Sequence, residues 1–324
     1  MNIKIRDSVN KNEWNNLLKH DFNVFNTVEW AEFNGNPKYI VVLEGDALVG
    51  GMIFREERVL SRKTLISDAA PIAISNYTKL EILNFFKKLS GVKIINSTFQ
   101  DSRFDDLFTK LHFKPTEKAT VIIDLNKNED TKIFLDKDSR YDINKALKQN
   151  VKITDGTKDN SEWENFFKIY NLAGKYWGVK MLTKNEFMKF RELGKFNLAK
   201  LFIAKIGDII ASGSIVLNSG NTLIFYINAI NPDKKQLQSN SLLVWEIMNY
   251  AKKNDFKYFD LFGYDLYAKK NEKTYGINKF KMSFGGEIKK FYKFTDSNML
   301  VIGRKLYNKI RLLKKLYFFL QRFI

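Results

Sequence analysis

The apolar and polar positions of this chain alternate between strand-like and helix-like spacing along most of its length. Short apolar runs at 39–43 and 47–55 are bounded by turn residues, which predicts strands. Within 78–89, apolar side chains recur three or four residues apart, which predicts a helix with one buried face. Asn10, followed by Glu13 three residues later, predicts the N-cap of an earlier helix. The pattern therefore indicates a mixed α/β fold.

A second series of elements follows a polar stretch at 126–130. It contains helix-like and strand-like segments, the clearest of which are helices at 161–175 and 241–254 and strands at 199–206, 209–217 and 222–229. The turn at 205–208 repeats the turn at 44–46, which indicates that one structural unit is used twice. We therefore predict one domain over 1–125 and a second over 126–297.

The last stretch, 298–324, predicts a basic amphipathic helix. It contains seven Lys and Arg residues and no acid, and its apolar residues recur at helical spacing. Such a helix either packs its apolar stripe on the first domain or lies on an anionic membrane.

Composition excludes several classes of site. The chain of 324 residues has no Cys and two His, so we expect no disulfide, no thiolate zinc site, no cysteine nucleophile and no metal cofactor. We find no nucleophile-elbow, P-loop or dinucleotide-binding motif. No run reaches ~18 apolar residues, and the first residues lack the apolar core of a signal peptide. The predicted location is the cytoplasm, with peripheral contact at the inner face of the membrane as an option.

The formal net charge is +18, which favours an anionic partner such as a nucleic acid, a phosphorylated substrate or an anionic membrane.

One stretch near the end of the second domain combines a lysine with aromatic neighbours and glycines. Residues 258–292 read YFDLFGYDLYAKKNEKTYGINKFKMSFGGEIKKFY, in which the glycines are expected to mark strand ends. Lys281 follows Phe280 directly, and apolar neighbours can keep an ammonium partly desolvated and directed at an anion. Gly285 and Gly286 are expected to let the backbone approach a ligand closely. The alternative is an ordinary lysine between a strand and a loop, exposed to solvent.

This stretch resembles the signature of the FemABX family, whose members build peptide cross-bridges in cell-wall precursors and share the GNAT acyltransferase fold. In that family a strand ending in Asp and Gly precedes a Gly-x-x-x-Phe-Lys-x-x-Phe-Gly segment. The residues that occupy those places are Gly276, Phe280, Lys281, Phe284 and Gly285.

The resemblance implies two tandem GNAT-like domains, with mixed, largely antiparallel sheets flanked by helices. It implies an aminoacyltransferase that moves an amino acid from aminoacyl-tRNA, as co-substrate, to the stem peptide of a nucleotide- or lipid-linked cell-wall precursor. No further cofactor is implied. Lys281 would stabilise the developing oxyanion as the catalytic cation. Phe280, Tyr275 and Gly276 would bind substrate beside it.

Two further segments supply candidate substrate-binding residues. In the helix at 138–148, Arg140, Asn144 and Lys148 share a polar face, while Ile143 and Leu147 share another. The helix resembles the arginine-rich helix of the family, in which Arg140, Ile143, Lys145 and Ala146 match, whereas Tyr141, Asp142 and Asn144 depart from it. Arg140, Lys145 and Lys148 would hold phosphate or carboxylate groups of the acceptor or of the tRNA end.

Tyr176 and Trp177 follow a predicted helix. They are expected to form a core pair, and the resemblance implies the alternative that they lie at the acceptor site.

The start of the helix at 241–254 bears on the donor. GNAT acyltransferases place Gln/Arg-x-x-Gly-x-Gly/Ala there, and backbone amides of that segment cradle the pyrophosphate of coenzyme A. This chain has Gln236-Leu237-Gln238-Ser239-Asn240-Ser241, with serine in place of both glycines. The prediction is that coenzyme A no longer binds.

Two other functions stay open at this point. One is an N-acyltransferase that uses an acyl-coenzyme A or acyl-carrier donor on an amino sugar or amino acid. The other is a non-catalytic module that binds a polyanion or an anionic envelope through its positive charge.

Overall fold

The computed structural model describes residues 1–19, 21–59, 61–127, 130–298 and 300. The predicted C-terminal helix therefore lies, apart from its first residues, outside the described part of the chain. In the described part, no helix combines the length and apolar character needed to cross a membrane.

The helices and strands follow the predicted order closely. The strands are β1 (Asn2–Arg6), β2 (Pro37–Glu44), β3 (Ala47–Val59), β4 (Arg62–Ser67), β5 (Ile72–Ala73), β6 (Val92–Ile95), β7 (Lys114–Asp124), β8 (Lys152–Asp155), β9 (Ala199–Ile206), β10 (Ile209–Ser219), β11 (Thr222–Ile230), β12 (Tyr258–Asp260) and β13 (Glu287–Thr295). The α-helices are α1 (Lys11–Leu18), α2 (Val28–Asn34), α3 (Asn76–Lys88), α4 (Asp105–Lys110), α5 (Lys137–Lys148), α6 (Asn160–Trp177), α7 (Lys184–Lys195), α8 (Ser239–Lys253) and α9 (Lys273–Met282). Short 3₁₀ helices lie at Val24–Asn26, Phe99–Phe104, Thr131–Phe134 and Pro232–Leu237.

The chain divides into two compact units. One comprises Met1–Ala119 together with the described residues from Lys290 to Asn298, and the other comprises Thr120–Lys289. This division differs from the predicted boundaries because β13 pairs with β6 of the first unit, where Phe294 lies opposite Ile95. A pairing between strands so far apart in sequence cannot be seen in local hydrophobic patterns.

The first unit contains a mixed sheet in which most neighbouring strands are antiparallel. The order is β1-β2-β3-β4-β6-β13, with β5 paired to β3, and the β4–β6 pair is parallel. Trp14 of α1 is fully buried and donates from Nε1 to the carbonyl of Asn26 at 2.8 Å. The predicted N-cap is confirmed, since the Asn10 side chain accepts from the backbone amides of Asn12 and Glu13.

The second unit contains the order β7-β12-β11-β10-β9-β8, which is antiparallel except for the parallel β11–β12 pair. Helix α8 is buried along most of its length and packs against β9 and β10, and α5 packs against α8. The predicted fold class, mixed and largely antiparallel sheets flanked by helices, is confirmed. The segment that carries Lys281 is the clearest local difference, because it forms the helix α9 and not the end of a strand.

Candidate active site

Lys281 lies in the last turn of α9, and its ammonium group is held by two backbone carbonyl groups. The Nζ atom donates to the carbonyl oxygen of Phe262 and to that of Gly263, the latter at 2.6 Å. A cation in the last turn of a helix is also favoured by the helix dipole. The side chain is half-buried and lies in a helix, which favours the partly desolvated lysine over the alternative of an exposed lysine between a strand and a loop.

The two carbonyl groups converge because the chain turns sharply after β12. Phe262 and Gly263 both have left-handed backbone conformations, with φ of 47° and 70°. Asp260, the last residue of β12, accepts at Oδ1 from the Phe262 amide at 2.8 Å and from the Thr120 hydroxyl. A carboxylate that bonds the amide two residues later is a common way to fix such a turn.

Burial sets the electrostatics of this group of residues. Burial lowers the pKa of Lys281 to about 8, while the negative charge of Asp260 acts in the opposite direction. Burial raises the pKa of Asp260 to about 6, against the hydrogen bonds from Thr120 and Phe262 and the charge of Lys281. At neutral pH these directions leave a half-buried lysine cation beside an aspartate that is mostly ionised.

The aromatic and glycine residues next to Lys281 serve packing. Phe280 packs against the core and meets the fully buried Phe284 ring edge-on, with centroids 5.1 Å apart. Gly285 has a φ of 77°, and a Cβ at this position would lie 2.0 Å from the carbonyl oxygen of Phe134. A Cβ at Gly286 would lie 2.5 Å from the Val121 side chain. The expectation that these glycines admit a ligand is wrong, because neighbouring segments of this chain fill the space.

Tyr275 and Gly276 lie in the same helix, closer to its start. Both residues are exposed, and a Cβ at Gly276 would meet no other described residue within 4 Å. They therefore lie on an open surface of α9, about one and a half turns before Lys281.

Helix α5 presents the predicted polar face but buries a different apolar face. Arg140, Asn144 and Lys148 are exposed, and Lys145 is half-buried. The Arg140 guanidinium donates from Nε and Nη2 to the carbonyl of Leu135, at 3.0 and 2.8 Å.

The apolar face of α5 contradicts one prediction. Leu147 is 45% exposed, whereas the buried residues are Ser139, Ile143 and Ala146. The predicted apolar face of Ile143 and Leu147 is wrong. The residues that face α8 are spaced four and then three residues apart, and this spacing includes Ala146 in place of Leu147.

Tyr176 and Trp177, at the end of α6, are exposed. Their side chains are 52% and 44% exposed, so the predicted core pair is wrong. The rings meet edge-on at 4.8 Å. Lys235 donates to the Tyr176 hydroxyl at 3.2 Å, and Lys273 donates to the Trp177 carbonyl at 3.0 Å with its Nζ 5.0 Å from the ring centroid. We call these four residues the aromatic–lysine surface.

The start of α8 is filled by its own side chains. Ser239, Asn240 and Ser241 are all buried. The Ser239 hydroxyl donates to the Ser212 hydroxyl at 2.9 Å, and the Ser241 hydroxyl donates to a carboxylate oxygen of Asp142 at 3.4 Å. An acidic side chain thus lies where the N-terminus of a helix would otherwise favour a phosphate group.

Sequence reasoning missed the roles of Thr120, Asp142 and Asp260. For Asp260 a signal was available, since an aspartate just before a Phe-Gly turn can bond the backbone two residues on. For Thr120 and Asp142 there was none, because their partners lie more than 90 residues away in sequence.

Comparison with known proteins places this geometry in a fold family. The sequence model of the protein family described as acetyltransferase (GNAT) domain matches residues 138–274 of this chain. The crystal structure of FemX superposes with a TM-score of 0.74 at 15% identity, over 96% of this chain and 100% of that one. This chain has the FemX fold. The resemblance inferred from the sequence is thereby confirmed for the fold.

Other solved structures share the FemX fold at lower similarity. The C-terminal domain of a putative lysylphosphatidylglycerol synthetase from Agrobacterium fabrum gives a TM-score of 0.65 at 7% identity, over 89% of this chain and 92% of that one. L-PGS from Bacillus licheniformis gives a TM-score of 0.62 at 11% identity, over 94% of this chain and 97% of that one. A tandem GNAT protein from the clavulanic acid biosynthesis pathway gives a TM-score of 0.51 at 9% identity, over 91% of this chain and 98% of that one. This match supports the prediction of two tandem GNAT-like domains. No curated protein sequence matches the chain significantly.

Proposed function

We propose that this protein is an acyltransferase that forms an amide bond between an aminoacyl group and an amine of a cell-wall precursor. The observation that carries the proposal is the half-buried Lys281 ammonium, held by two carbonyl groups in a chain with the FemX fold. The donor would be an aminoacyl-tRNA, and the acceptor a nucleotide- or lipid-linked precursor.

The reaction needs alignment and charge stabilisation more than it needs a covalent intermediate. The acceptor amine attacks the ester carbonyl carbon, which forms a C–N bond and places negative charge on the carbonyl oxygen. The C–O ester bond then breaks, the ribose hydroxyl leaves, and the amine loses a proton. Lys281 can stabilise the oxyanion because its ammonium is already oriented and poorly hydrated.

The start of α8 supports a donor other than coenzyme A. A pyrophosphate there would meet the buried Ser239 and Ser241 side chains and the carboxylate of Asp142. Both crowding and repulsion oppose its binding. An aminoacyl ester on tRNA requires no pyrophosphate site.

The candidate substrate-binding residues differ in what they can offer a ligand. Arg140 is engaged by the carbonyl of Leu135, so Lys145 and Lys148 have more capacity for a phosphate or carboxylate. Tyr275 and Gly276 give α9 an open surface about one and a half turns before Lys281, and Phe280 packs α9 against the core. These assignments are proposals that follow from the family resemblance.

The aromatic–lysine surface suits the single-stranded end of the tRNA. Flat rings flanked by cations bind bases by stacking and the backbone by charge. Lys273 of this surface and Lys281 lie on the same helix, eight residues and therefore about 12 Å apart along its axis. Bases of the terminal nucleotides could thus stack on Trp177 while the ester carbonyl lies at Lys281.

The assay that tests the function uses purified protein, a soluble nucleotide-linked wall precursor, and either charged tRNA or acetyl coenzyme A. Transfer of labelled amino acid from tRNA is the expected result. Transfer only from the coenzyme would favour the N-acyltransferase alternative. Binding of anionic polymers with no transfer from either donor would favour the non-catalytic module.

Trp177→Ala tests the role of the aromatic–lysine surface. Since stacking contributes about 1–3 kcal/mol per base, we expect the KM for charged tRNA to rise about tenfold or more with little change in kcat. Phe196→Ala is the matched control, because Phe196 is an exposed aromatic residue at the end of another helix of the same unit. A rise in the KM for the precursor, with that for tRNA unchanged, would move the surface to the acceptor site.

A further inference from the structure

Asp260 connects the fold of the second unit to the position of the Lys281 cation. It is 7% exposed, and its Oδ1 atom accepts two hydrogen bonds, one from the Phe262 amide and one from the Thr120 hydroxyl. Thr120 belongs to β7, the strand that pairs with β12. The carboxylate is therefore anchored from two neighbouring strands.

The turn that follows needs such an anchor. Phe262 has a φ of 47°, and a bulky residue in this left-handed region costs about 1–2 kcal/mol. The hydrogen bond from its amide to Asp260 stabilises that conformation, and the adjacent Gly263 continues it at a φ of 70°. In this conformation the carbonyl groups of both residues point to the Nζ atom of Lys281.

Asp260 also supplies charge. In the described part of the chain, it is the ionisable group whose charge acts on Lys281, and it favours the protonated form against burial.

We infer that Asp260 is the positioning residue for Lys281: it fixes the Phe262–Gly263 turn whose two carbonyl groups hold the ammonium, and it supplies the opposing charge. The inference rests on the proposed function in so far as Lys281 is the catalytic cation. The fixation of the turn and the charge effect are properties of the folded protein and can be measured without substrate.

Two substitutions separate geometry from charge. Asp260→Asn keeps an oxygen that can accept both hydrogen bonds but removes the charge, whereas Asp260→Glu keeps the charge but displaces it from the turn. Asp265→Asn is the matched control, since Asp265 accepts from the amide two residues later, that of Tyr267, at 2.9 Å in the same loop. Within the described part of the chain, the carboxylate that raises the pKa of Lys281 against burial is that of Asp260, so Asp265→Asn controls for the loss of a carboxylate in this loop.

The first readout is the pH at which Lys281 loses its proton. It is measured by NMR of ¹³C-labelled lysine side chains, and the Lys281 signal is assigned as the one that is missing in Lys281→Met. We expect a midpoint near 8 in the native protein, a fall of about one pH unit in Asp260→Asn, and no change in Asp265→Asn. An Asp260→Asn midpoint equal to that of the control would overturn the inference, whatever the enzyme assay gives.

The second readout is the pH profile of turnover. With Asp260→Asn, kcat should remain near that of the native protein at pH 6.5 and fall about tenfold below it at pH 8.5, with KM little changed. Asp260→Glu should lower kcat at every pH and leave the midpoint in place. Lack of any transfer with native protein, combined with the expected NMR shift, would refute the proposed function and leave the positioning role intact.

Thr120→Val provides a milder variant in case Asp260→Asn does not fold. It keeps the carboxylate and removes one of its two donors, so the Lys281 midpoint should shift in the same direction by a smaller amount. The inference would be contradicted if Thr120→Val folds and both its Lys281 midpoint and its turnover at alkaline pH equal those of the native protein.

Discussion

Replacing Lys281 by Met tests the central element of the proposed mechanism. Methionine keeps most of the length and the apolar stem of lysine and removes only the charge and its hydrogen-bond donors. A preorganised cation next to a developing oxyanion contributes roughly 10²–10³ in rate. We therefore expect kcat to fall by about that factor, with a much smaller effect on the binding of either substrate.

The stability of the same variant can be estimated from the structure. A pKa lowered from 10.5 to about 8 means that the folded state disfavours the ammonium by about 3 kcal/mol relative to the unfolded chain. Methionine relieves this cost but removes the two hydrogen bonds to the carbonyls of Phe262 and Gly263, each of which contributes about 1–2 kcal/mol. These effects are similar in size and opposite in sign, so Tm should change by no more than a few degrees.

The pH dependence of the native enzyme gives a second check on the role of Lys281. Because the pKa of Lys281 is about 8 and the charged form is the one that stabilises the oxyanion, turnover should fall as pH rises through 8. If Lys281 acted instead as a general base, turnover would rise over the same range. Lys279→Met is the matched control, since Lys279 is an exposed lysine two residues earlier in α9.

Near-native turnover of Lys281→Met, or its failure to fold, would make Lys281 a structural residue and refute the assignment. Lys281→Arg should restore only part of the rate, because a planar guanidinium cannot reproduce the contacts of a compact ammonium with two carbonyl oxygens.

Two further predictions concern other parts of the chain. Acetyl coenzyme A should bind weakly or not at all, because Ser239, Ser241 and Asp142 occupy the start of α8, and micromolar affinity in calorimetry would contradict this. In the first unit, Asp105 has a buried oxygen without a hydrogen-bond partner among the described residues, and burial together with the charge of Asp101 raises its pKa to about 6. Because the folded pKa lies above the unfolded value of 3.8, stability is lost as pH rises through this window. Asp105→Asn should therefore raise Tm at pH 7 and leave it unchanged below pH 4, and equal gains at both pH values in scanning calorimetry would refute the electrostatic explanation.

Elements whose stability depends on a continuous apolar face could be predicted from the sequence. Helix α8 and strands β9 to β11 are of this kind, because their apolar residues recur regularly and are buried in the core of the second unit. The N-cap at Asn10 was also predictable, since its partners lie within three residues. In each case the interaction that fixes the element is local or follows directly from burial.

Helix α9 was not predictable in the same way. Phe280, Met282 and Phe284 occupy alternate positions, which is the spacing of a strand, and Asn278 is the buried residue of the helix. The Asn278 side chain donates to the Asp265 carbonyl at 2.7 Å and accepts from the Asp265 amide at 3.1 Å. These two hydrogen bonds hold α9 against the preceding loop. A contact of this kind leaves no periodic pattern of apolar residues in the sequence.

The exposure of Tyr176 and Trp177 was missed for a related reason. Aromatic residues at the end of a helix pack into a core more often than they face solvent, and the lysines that flank these two rings lie about 60 and 100 residues further along the chain. Only the folded chain brings Lys235 and Lys273 to the rings.

Side chains of opposite charge lie at the start of α8 and at the end of α9, and this contrast is the physical basis of the proposed donor. At the start of α8, where backbone amides favour an anion, a carboxylate of the same chain lies against Ser241 and opposes any incoming phosphate. At the end of α9, a lysine cation is held by two backbone carbonyl groups, with the carboxylate of Asp260 anchored at the same turn, so an oriented ammonium group is present before a ligand binds. The site therefore offers little to the pyrophosphate of a donor and much to the oxyanion of its ester. An acyl donor without a pyrophosphate next to the reacting carbonyl fits this distribution of charge, and an aminoacyl ester of RNA is such a donor.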